Sequence, residues 1–166
     1  MNFTAAVLTV SDRVSRGQRS DVSGAQVCEF LTQRGFTVTT KTVVPDEEAH
    51  IAAALLDLSQ KAALVVTVGG TGIAERDVTP EATRTVCGRL VDGISERMRS
   101  EGGRHTPLAV LSRGLCGVCG GALVLNLPGS PAGAIQSLGA VIDVLPHALK
   151  LLAGDTDHED SDNSAG

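Results

Sequence analysis

Short apolar segments that alternate with amphipathic ones constrain the fold of this chain more than any other feature of its sequence. The short segments occupy residues 4–10, 37–44, 64–68 and 123–127, and they are rich in valine, leucine, alanine and threonine. Their length and nearly continuous apolar character predict β-strands that are covered on both faces. Each segment is followed by proline, glycine or a small polar residue, which marks the beginning of a loop.

Helical spacing of apolar residues occurs between these predicted strands. It predicts one helix around residues 27–31 that ends at Gly35, a second around residues 51–58 and a third around residues 94–99. Thr79 is followed by proline, and this pair has the form of a helix N-cap with proline in the first turn.

The longest predicted helix covers residues 130–153. Its apolar residues recur every three or four positions, with Ser130 as the cap, Pro131 at the first position and Gly154 after the end. Pro146 lies inside this helix and removes one backbone hydrogen bond, so we expect a kink there.

The alternation of strands and helices predicts an α/β sandwich with a mostly parallel sheet. Residues 115–127 depart from this pattern, because two apolar stretches flank a glycine-rich turn, as in a hairpin; we therefore expect a mixed sheet. Residues 1–154 contain no internal repeat or linker and form one predicted domain. Residues 155–166 contain five acidic residues and no Lys or Arg, which predicts a disordered acidic tail.

Charge and composition argue against several classes of protein. The net charge is −5, and the acidic tail accounts for it, so residues 1–154 lack the basic surface of a nucleic-acid-binding protein. Aromatic residues make up 2% of the chain, too few to stack on bases. No apolar run approaches the ~20 residues that cross a bilayer, and no secretory leader is recognisable. We therefore expect a cytoplasmic protein that binds no membrane and keeps its cysteines reduced.

The unusual residues of the chain follow the ends of the predicted strands. Ser11 and Asp12 follow the first strand, Asp46 follows the second, residues 69–72 follow the third and residues 128–131 follow the last. Ligands of open α/β sheets bind at the carboxyl ends of the strands, so this placement predicts one shared cleft.

Residues 69–72, with the sequence Gly-Gly-Thr-Gly, have the properties of a phosphate-binding loop. Glycines let backbone N–H groups come close to a phosphate, and Thr71 adds a hydroxyl donor. The loop has neither the Walker A pattern nor the dinucleotide fingerprint. A tight turn without any ligand explains the glycines equally well, so both interpretations stay open.

Residues 128–131 form a second candidate loop. Gly129 permits close approach, and the N-terminus of the following helix attracts an anion. A helix cap made by Ser130 and Pro131 needs no ligand, and taken alone it is slightly favoured.

Asp46 and Asp77 are candidate metal ligands. An Asp in the position of Asp46 more often caps the following helix, whereas Asp77 has no capping duty because Thr79 can cap the next one. Two carboxylates beside a phosphate loop can hold Mg²⁺ between them and a triphosphate, provided that the two loops meet. Ser112 and Arg113 offer a hydroxyl and a guanidinium fork that suit an anionic ligand, although a surface arginine is the commoner case.

A set of motifs along residues 5–154 resembles one known family. The motifs are Thr9-Val10-Ser11-Asp12-Arg13, Asp21-x-Ser23-Gly24, Val44-Pro45-Asp46-Glu47, Val68-Gly69-Gly70-Thr71-Gly72 running into Arg76-Asp77-Val78-Thr79-Pro80-Glu81-Ala82-Thr83, Leu111-Ser112-Arg113, and Leu125-Asn126-Leu127-Pro128-Gly129-Ser130-Pro131. In this order they are similar to the motifs of the MogA/MoaB family of molybdenum-cofactor biosynthesis, which is related to the G domain of gephyrin. The G-G-T-G-x-x-x-R-D-V-T-P block is the longest and most specific of them.

The resemblance implies a fold, a reaction and an assembly. The fold would be a three-layer α/β/α sandwich of the MoaB/Mog-like molybdopterin-binding type. The reaction would be Mg²⁺-dependent transfer of AMP from ATP to the terminal phosphate of molybdopterin, with release of pyrophosphate. The chain would form a homotrimer, or a hexamer as in some members, and would hand the adenylated product to a molybdenum-insertion enzyme.

The resemblance also implies which residues form the site. The family's functional aspartates fall on Asp46 and Asp77, which would act as catalytic residues and hold Mg²⁺. The positions implied for substrate binding are Ser11, Asp12, Gly69, Gly70, Thr71, Gly72, Glu96, Ser112, Arg113, Pro128, Gly129 and Ser130.

The turn around residues 115–121 departs from the family's pattern. Cys119 stands where many relatives carry arginine, and with Cys116 it forms an isolated C-x-x-C. Two small residues in a glycine-rich turn are the favoured interpretation of this pair over a zinc site. Because an anion-binding side chain is missing there, a non-catalytic molybdopterin-binding or scaffolding member of the same fold stays as the alternative.

Overall fold

The computed structural model describes residues 2–155, in which strands and helices alternate from the first strand onward. The strands are β1 (Thr4–Val10), β2 (Thr37–Val44), β3 (Leu64–Val68), β4 (Arg89–Leu90), β5 (Cys116–Cys119) and β6 (Ala122–Leu127). The helices are α1 (Asp12–Ser15), α2 (Val22–Gln33), α3 (Glu48–Ser59), α4 (Thr79–Val86), α5 (Asp92–Gly102), α6 (Pro131–Val141) and α7 (Leu145–Leu152), and a 3₁₀ helix covers Pro107–Leu111. The predicted acidic tail lies outside the described residues, apart from Asp155.

The strands form one mixed sheet in the order β2-β1-β3-β6-β5-β4. The first four strands of that order run parallel to one another, whereas β5 runs antiparallel to both of its neighbours. β5 and β6 are joined by a turn at residues 120–121, so the predicted hairpin and the predicted mixed sheet are confirmed.

Helices cover both faces of the sheet. On one face α2, α5, α6 and α7 contribute to a core in which Leu31 and Leu138 are fully buried. On the other face α3 and α4 contribute to a second core that contains Ile51 and Leu55. β3 and β6 are buried at every position, as expected for strands between two helical layers. The three-layer α/β/α sandwich is therefore confirmed.

The chain forms two helices over residues 130–153 instead of the single long helix predicted, and the kink expected at Pro146 is confirmed as the break between them. α6 ends at Val141, α7 begins at Leu145, and the two are bent by 64° relative to each other. Pro146 lies in the first turn of α7, where proline is tolerated, whereas in one continuous helix its ring would clash with the carbonyl of Ile142. Among the described residues, no single helix is long and apolar enough to span a membrane; this bent pair passes that test by length and composition alone.

Candidate active site

The parallel strands β1, β2, β3 and β6 all end at one edge of the sheet, and the loops after them converge there. The glycine loop (residues 69–72) follows β3, and the proline–glycine loop (residues 128–131) follows β6. The N–H of Gly69 donates to the carbonyl of Leu127 at 3.0 Å, and the Ser23 hydroxyl of α2 donates to the carbonyl of Gly129 at 2.7 Å. The loops that sequence placed at separate strand ends therefore share one cleft.

Two cavities open along this edge. The first, here called the α5 cavity, has a volume of about 490 Å³ and lies between the glycine loop, α5 and the start of α6. The second, here called the α2 cavity, has a volume of about 410 Å³ and lies between the end of β1, the start of α2 and the glycine loop. Gly70, Gly129 and Ser130 line both cavities, so these residues form the boundary between two adjoining compartments.

Asp46 borders the α2 cavity at the end of β2. Its Oδ2 accepts a hydrogen bond from the N–H of Asp12 at 2.8 Å, and its own N–H donates to Asp12 Oδ1 at 3.1 Å. The N-cap of α3 is Glu47, so the capping role considered for Asp46 is wrong. Its other oxygen, Oδ1, lies beside Gly70, where a Cβ would be 3.4 Å away from it.

Asp77 borders the α5 cavity on the other side of the glycine loop. Its Oδ2 accepts a hydrogen bond from the N–H of Ala74 at 3.0 Å, and a Cβ on Gly72 would come within 2.6 Å of the same oxygen. Asp46 and Asp77 thus flank the loop, each with one oxygen fixed by a backbone N–H. Within residues 2–155, the Oδ1 atoms of both aspartates have no hydrogen-bond partner.

The charges around the glycine loop suit a bound cation. Burial raises the pKa of Asp46, and the negative charges of Asp12 and Asp77 raise it too, against the opposing effects of the Asp12 N–H and the Arg76 guanidinium. Mg²⁺ takes one or two protein carboxylates and completes its shell with water and phosphate oxygens. The Oδ1 atoms of Asp46 and Asp77 are oxygen donors of the kind such an ion takes, and the described residues contain no cluster of three or more metal-ligating side chains.

Asp12 contacts Asp46 rather than either cavity. Arg76 holds its carboxylate with two hydrogen bonds, from Nε to Oδ2 at 2.9 Å and from Nη2 to Oδ1 at 2.8 Å. Burial alone would raise the pKa of Asp12, but the N–H of Asp46, the Arg76 guanidinium and the charge of Arg16 together hold it below its usual value. Asp12 therefore stays ionised behind Asp46.

Arg113 fixes the glycine loop from behind. Its Nε donates to the carbonyl of Gly72 at 2.7 Å, its Nη2 donates to the carbonyl of Asp77 at 2.6 Å, and its Nη1 pairs with the Glu81 carboxylate. Its N–H also donates to the carbonyl of Thr71 at 2.8 Å. The guanidinium holds the pKa of Glu81 below its usual value. The fork predicted for an anionic ligand is thus engaged by the protein itself.

Most of the residues predicted for the site line the cavities. Ser11, Asp46 and Gly69 line the α2 cavity; Thr71, Gly72, Asp77, Ser112 and Pro128 line the α5 cavity; Gly70, Gly129 and Ser130 line both. Asp12 and Arg113 lie behind the lining residues. Glu96 is exposed on α5 and lines neither cavity.

Sequence reasoning missed the polar wall of the α5 cavity. Ser95 and Arg99 of α5, together with Gln136 and Ser137 of α6, line this wall. Arg99 Nη1 also donates to the carbonyl of Gly114 at 3.1 Å, which joins α5 to the segment after the 3₁₀ helix. Two serines could have indicated this wall in the sequence. Ser95 and Ser137 occupy buried positions of amphipathic helices, where an apolar residue is expected.

Asp21 belongs to one of the motifs but is not among the predicted site residues. It lines the α2 cavity, and its carboxylate accepts hydrogen bonds from the Thr9 hydroxyl at 2.7 Å and from the N–H of Gly24 at 2.9 Å. Lys41 lies 3.1 Å from the same carboxylate. Asp21 therefore joins the N-terminus of α2 to β1 and β2 at the cavity wall.

These features define an α/β sandwich protein with a two-compartment ligand site, in which two carboxylates flank a glycine loop at the boundary. The chain belongs to the family described as "Probable molybdopterin binding domain", whose model matches residues 6–147. That range contains both aspartates, both loops and all residues that line the two cavities.

Individual relatives agree with this membership. The molybdopterin adenylyltransferase of Helicobacter pylori strain J99 is 38% identical over 152 residues, which cover 89% of this chain and 86% of that protein. The molybdopterin adenylyltransferase of Escherichia coli K12 is 36% identical over 165 residues, covering 89% of this chain and 84% of that protein. The crystal structure of the molybdopterin biosynthesis enzyme MoaB from Thermus thermophilus matches with a TM-score of 0.85 and 49% identity, over 92% of this chain and 97% of that chain.

Proposed function

We propose that this chain is a molybdopterin adenylyltransferase, which transfers AMP from ATP to the terminal phosphate of molybdopterin and releases pyrophosphate. The family membership and the relatives that bear this name over most of the chain support the proposal. It makes the chain a nucleotidyltransferase of molybdenum cofactor biosynthesis, with ATP and molybdopterin as its substrates.

One structural observation carries the proposal: Asp46 and Asp77, from different loops, flank the glycine loop at the boundary of two cavities, with Asp46 lining the α2 cavity and Asp77 lining the α5 cavity. A transfer between two substrates requires that both be bound with their reacting groups close together and aligned. Gly70 and Gly129 contribute backbone without side chains to that boundary, so phosphate groups bound in the two compartments can approach each other.

The chemistry requires one bond to form and one to break. A terminal phosphate oxygen of molybdopterin attacks the α-phosphorus of ATP, and the bond from that phosphorus to the pyrophosphate leaving group breaks. The attacking phosphate is largely ionised at pH 7, since its second pKa is about 6, so no side chain has to act as a general base. This agrees with a site built from carboxylates, glycines and hydroxyls.

The residues of the chain align and stabilise the phosphates. Asp46 and Asp77 would hold Mg²⁺, which when bound neutralises the charge on the phosphate groups. The N–H groups of the glycine loop and of the first turn of α6 offer donors to phosphate oxygens, and Ser130 Oγ caps α6 by accepting from the N–H of Gly133 at 3.2 Å. Ser11 and Ser112 add hydroxyls to the walls of the two cavities.

A member that binds molybdopterin without adenylating it was the alternative, because Cys119 replaces an arginine of many relatives. In this structure Cys119 is 4% exposed and packs in the core under α3 and α4. Residues 116–121 line neither of the two cavities. The altered turn therefore gives no support to the non-catalytic alternative.

The same proposal extends to assembly and location. We propose a homotrimer, or a hexamer, that works in the cytoplasm and hands adenylated molybdopterin to a molybdenum-insertion enzyme. Exposed apolar side chains at the mouth of the α5 cavity and on the loop beside it support an assembly, because single chains rarely expose such clusters; they are Ile73, Leu108, Val110 and Leu111.

The test is to incubate the protein with ATP, Mg²⁺ and molybdopterin and to follow pyrophosphate and adenylated pterin together. We expect both products to depend on the pterin and to be lost in Asp77→Asn, which keeps the size of the side chain but removes a charged metal ligand. Thermal unfolding of the variant serves as the control for folding. Bound pterin without either product would overturn the proposal in favour of a binding module, and a fully active Asp77→Asn would overturn the role given to Asp77.

A further inference from the structure

Arg76, Asp12 and Asp46 come from three separate segments and form a continuous series of contacts that ends at Asp46 in the wall of the α2 cavity. Arg76 holds Asp12 through two hydrogen bonds, of 2.9 and 2.8 Å. Asp12 in turn holds Asp46 through two reciprocal hydrogen bonds between the backbone N–H of each residue and the carboxylate of the other, of 2.8 and 3.1 Å. The guanidinium fork thus holds both carboxylate oxygens of Asp12, and Asp12 holds one carboxylate oxygen and the backbone N–H of Asp46.

This chain of contacts decides where the Asp46 carboxylate points. Asp46 lies next to the N-terminus of α3, whose N-cap Glu47 makes no side-chain capping bond, so free N–H groups there compete for a nearby carboxylate. The contact with Asp12 keeps Oδ2 occupied and leaves Oδ1 beside Gly70. Arg76 belongs to the same segment as Asp77, so its contact with Asp12 also joins the loops that carry the two aspartates.

We infer that Arg76 is a positioning residue: through Asp12 it holds the Asp46 carboxylate toward the glycine loop, where that carboxylate meets the metal and the substrates. The inference rests on the proposed function for its role in catalysis. The orientation of the Asp46 carboxylate by the Arg76 guanidinium can be tested without measuring AMP transfer.

Positioning and simple charge balance predict opposite results when Arg76 is changed. If Arg76 only balanced the charge of the carboxylates, Arg76→Lys would behave as the native protein, and Arg76→Met would bind a divalent cation more tightly. If Arg76 positions Asp46, both variants weaken cation binding, because neither methionine nor the single point charge of lysine reproduces the fork.

The experiment measures Mn²⁺ binding by electron paramagnetic resonance, with ATP present and Mn²⁺ as the probe for the Mg²⁺ site. We expect Arg76→Met and Arg76→Lys each to weaken Mn²⁺ binding about tenfold or more, the range found when partners that orient a metal ligand are removed. In the transfer assay, the Mg²⁺ concentration for half-maximal rate should rise by a similar factor.

Asp12→Asn tests the middle residue of the Arg76–Asp12–Asp46 contacts. It keeps the backbone N–H that donates to Asp46 but loses the charged acceptor for Arg76, so we expect it to weaken Mn²⁺ binding as Arg76→Met does. The double variant Arg76→Met/Asp12→Asn should bind Mn²⁺ no more weakly than either single variant, because both changes break the same link between Arg76 and Asp12. The matched control is Arg97→Met, which breaks an Arg–Asp pair with Asp143 (3.0 Å) outside both cavities and should change neither readout.

The outcomes separate this inference from the proposed function. Native protein that binds Mn²⁺ with ATP but makes no adenylated pterin contradicts the proposed function, and the comparison of Arg76 variants still tests the inference. Unchanged or tighter Mn²⁺ binding in Arg76→Met and native-like binding in Arg76→Lys would overturn the inference, as would native protein that binds no Mn²⁺ under these conditions. Thermal unfolding identifies any variant that has lost its fold, in which case Asp12→Asn provides the decisive comparison.

Discussion

Gly70 shows how a missing side chain shapes the site. Its φ of +69° lies in the region that glycine adopts without strain, and a Cβ there would come within 2.3 Å of the Thr79 hydroxyl oxygen. That hydroxyl is already engaged, since it donates to the carbonyl of Gly69 at 2.9 Å. The sequence indicated a glycine turn at this position, whereas the structure shows that α4 packs directly against it.

We expect Gly70→Ala to destabilise the protein by about 1–3 kcal/mol and to reduce AMP transfer strongly, because the turn must shift away from Thr79. Urea denaturation measures the first effect and the transfer assay the second. Gly121→Ala is the matched control, since no atom lies within 4 Å of a Cβ placed there. Native-like activity of Gly70→Ala would contradict the close fit of the turn.

The cysteines provide a pH-dependent prediction. Burial raises the pKa of Cys87 to about 11 and that of Cys116 to about 12, and it also raises the pKa of Cys28. A raised pKa means less thiolate at a given pH, and thiolate is the form that reacts.

At pH 8 we therefore expect iodoacetamide to label Cys87 and Cys116 at least about tenfold more slowly in the folded protein than in urea. Labelling should accelerate as the pH rises toward 11. Peptide mapping by mass spectrometry measures each site, and the urea-unfolded protein is the control. Equal rates in the folded and unfolded protein at pH 8 would show that these thiols are not buried as described.

At the scale of elements, Asn126 of β6 joins the central strands to α4. Its side-chain NH₂ donates to the hydroxyls of Thr67 and Thr83 at 3.0 and 2.9 Å, and its Oδ1 accepts from the N–H of Leu115 at 3.1 Å. Asn126 is 1% exposed and lines the α5 cavity. An amide supplies two donors and an acceptor at one position, so no apolar residue of the same size can replace it.

We expect Asn126→Ala to lower the free energy of unfolding by about 3 kcal/mol. It leaves the Thr67 hydroxyl and the Leu115 N–H without this partner, and the Thr83 hydroxyl keeps only its bond to the carbonyl of Thr79. Chemical denaturation measures the change. Asn2→Ala is the control: its amide donates to Thr37 at an exposed position, and its loss should cost less than about 0.5 kcal/mol. A similar small cost for Asn126→Ala would contradict the network.

The elements that sequence patterns missed are those whose position depends on contacts with other parts of the chain. α1 and β4 contain too few residues to show a period, and β4 exists because Arg89 and Leu90 pair with β5. Pro146 indicated the bend between α6 and α7, but the apolar stripe continues across it, so the sequence did not show that the chain forms two separate helices there.

At the scale of the whole molecule, both cavities lie within residues 2–155. We therefore expect a chain truncated after Asp155 to keep its rate of AMP transfer within about twofold. The truncation removes four acidic residues and changes the net charge from −5 to −1, so the protein should elute earlier from an anion exchanger, which verifies the change. A tenfold loss of activity would show that the terminal residues contribute to the site.

The sequence by itself determined the sandwich, the mixed sheet and the glycine and proline–glycine loops, because periodicity and turn residues are local properties. It also indicated, through motifs, Asp46 and Asp77 as candidate metal ligands. Tertiary structure alone decided that the two aspartates flank one loop, that Asp12 and Arg113 support the loops from behind, and that Glu96 lines neither cavity. Those facts depend on which distant segments the sheet order brings together. They also depend on which way a side chain turns when several partners compete for it. Residue spacing along the sequence carries no information about either.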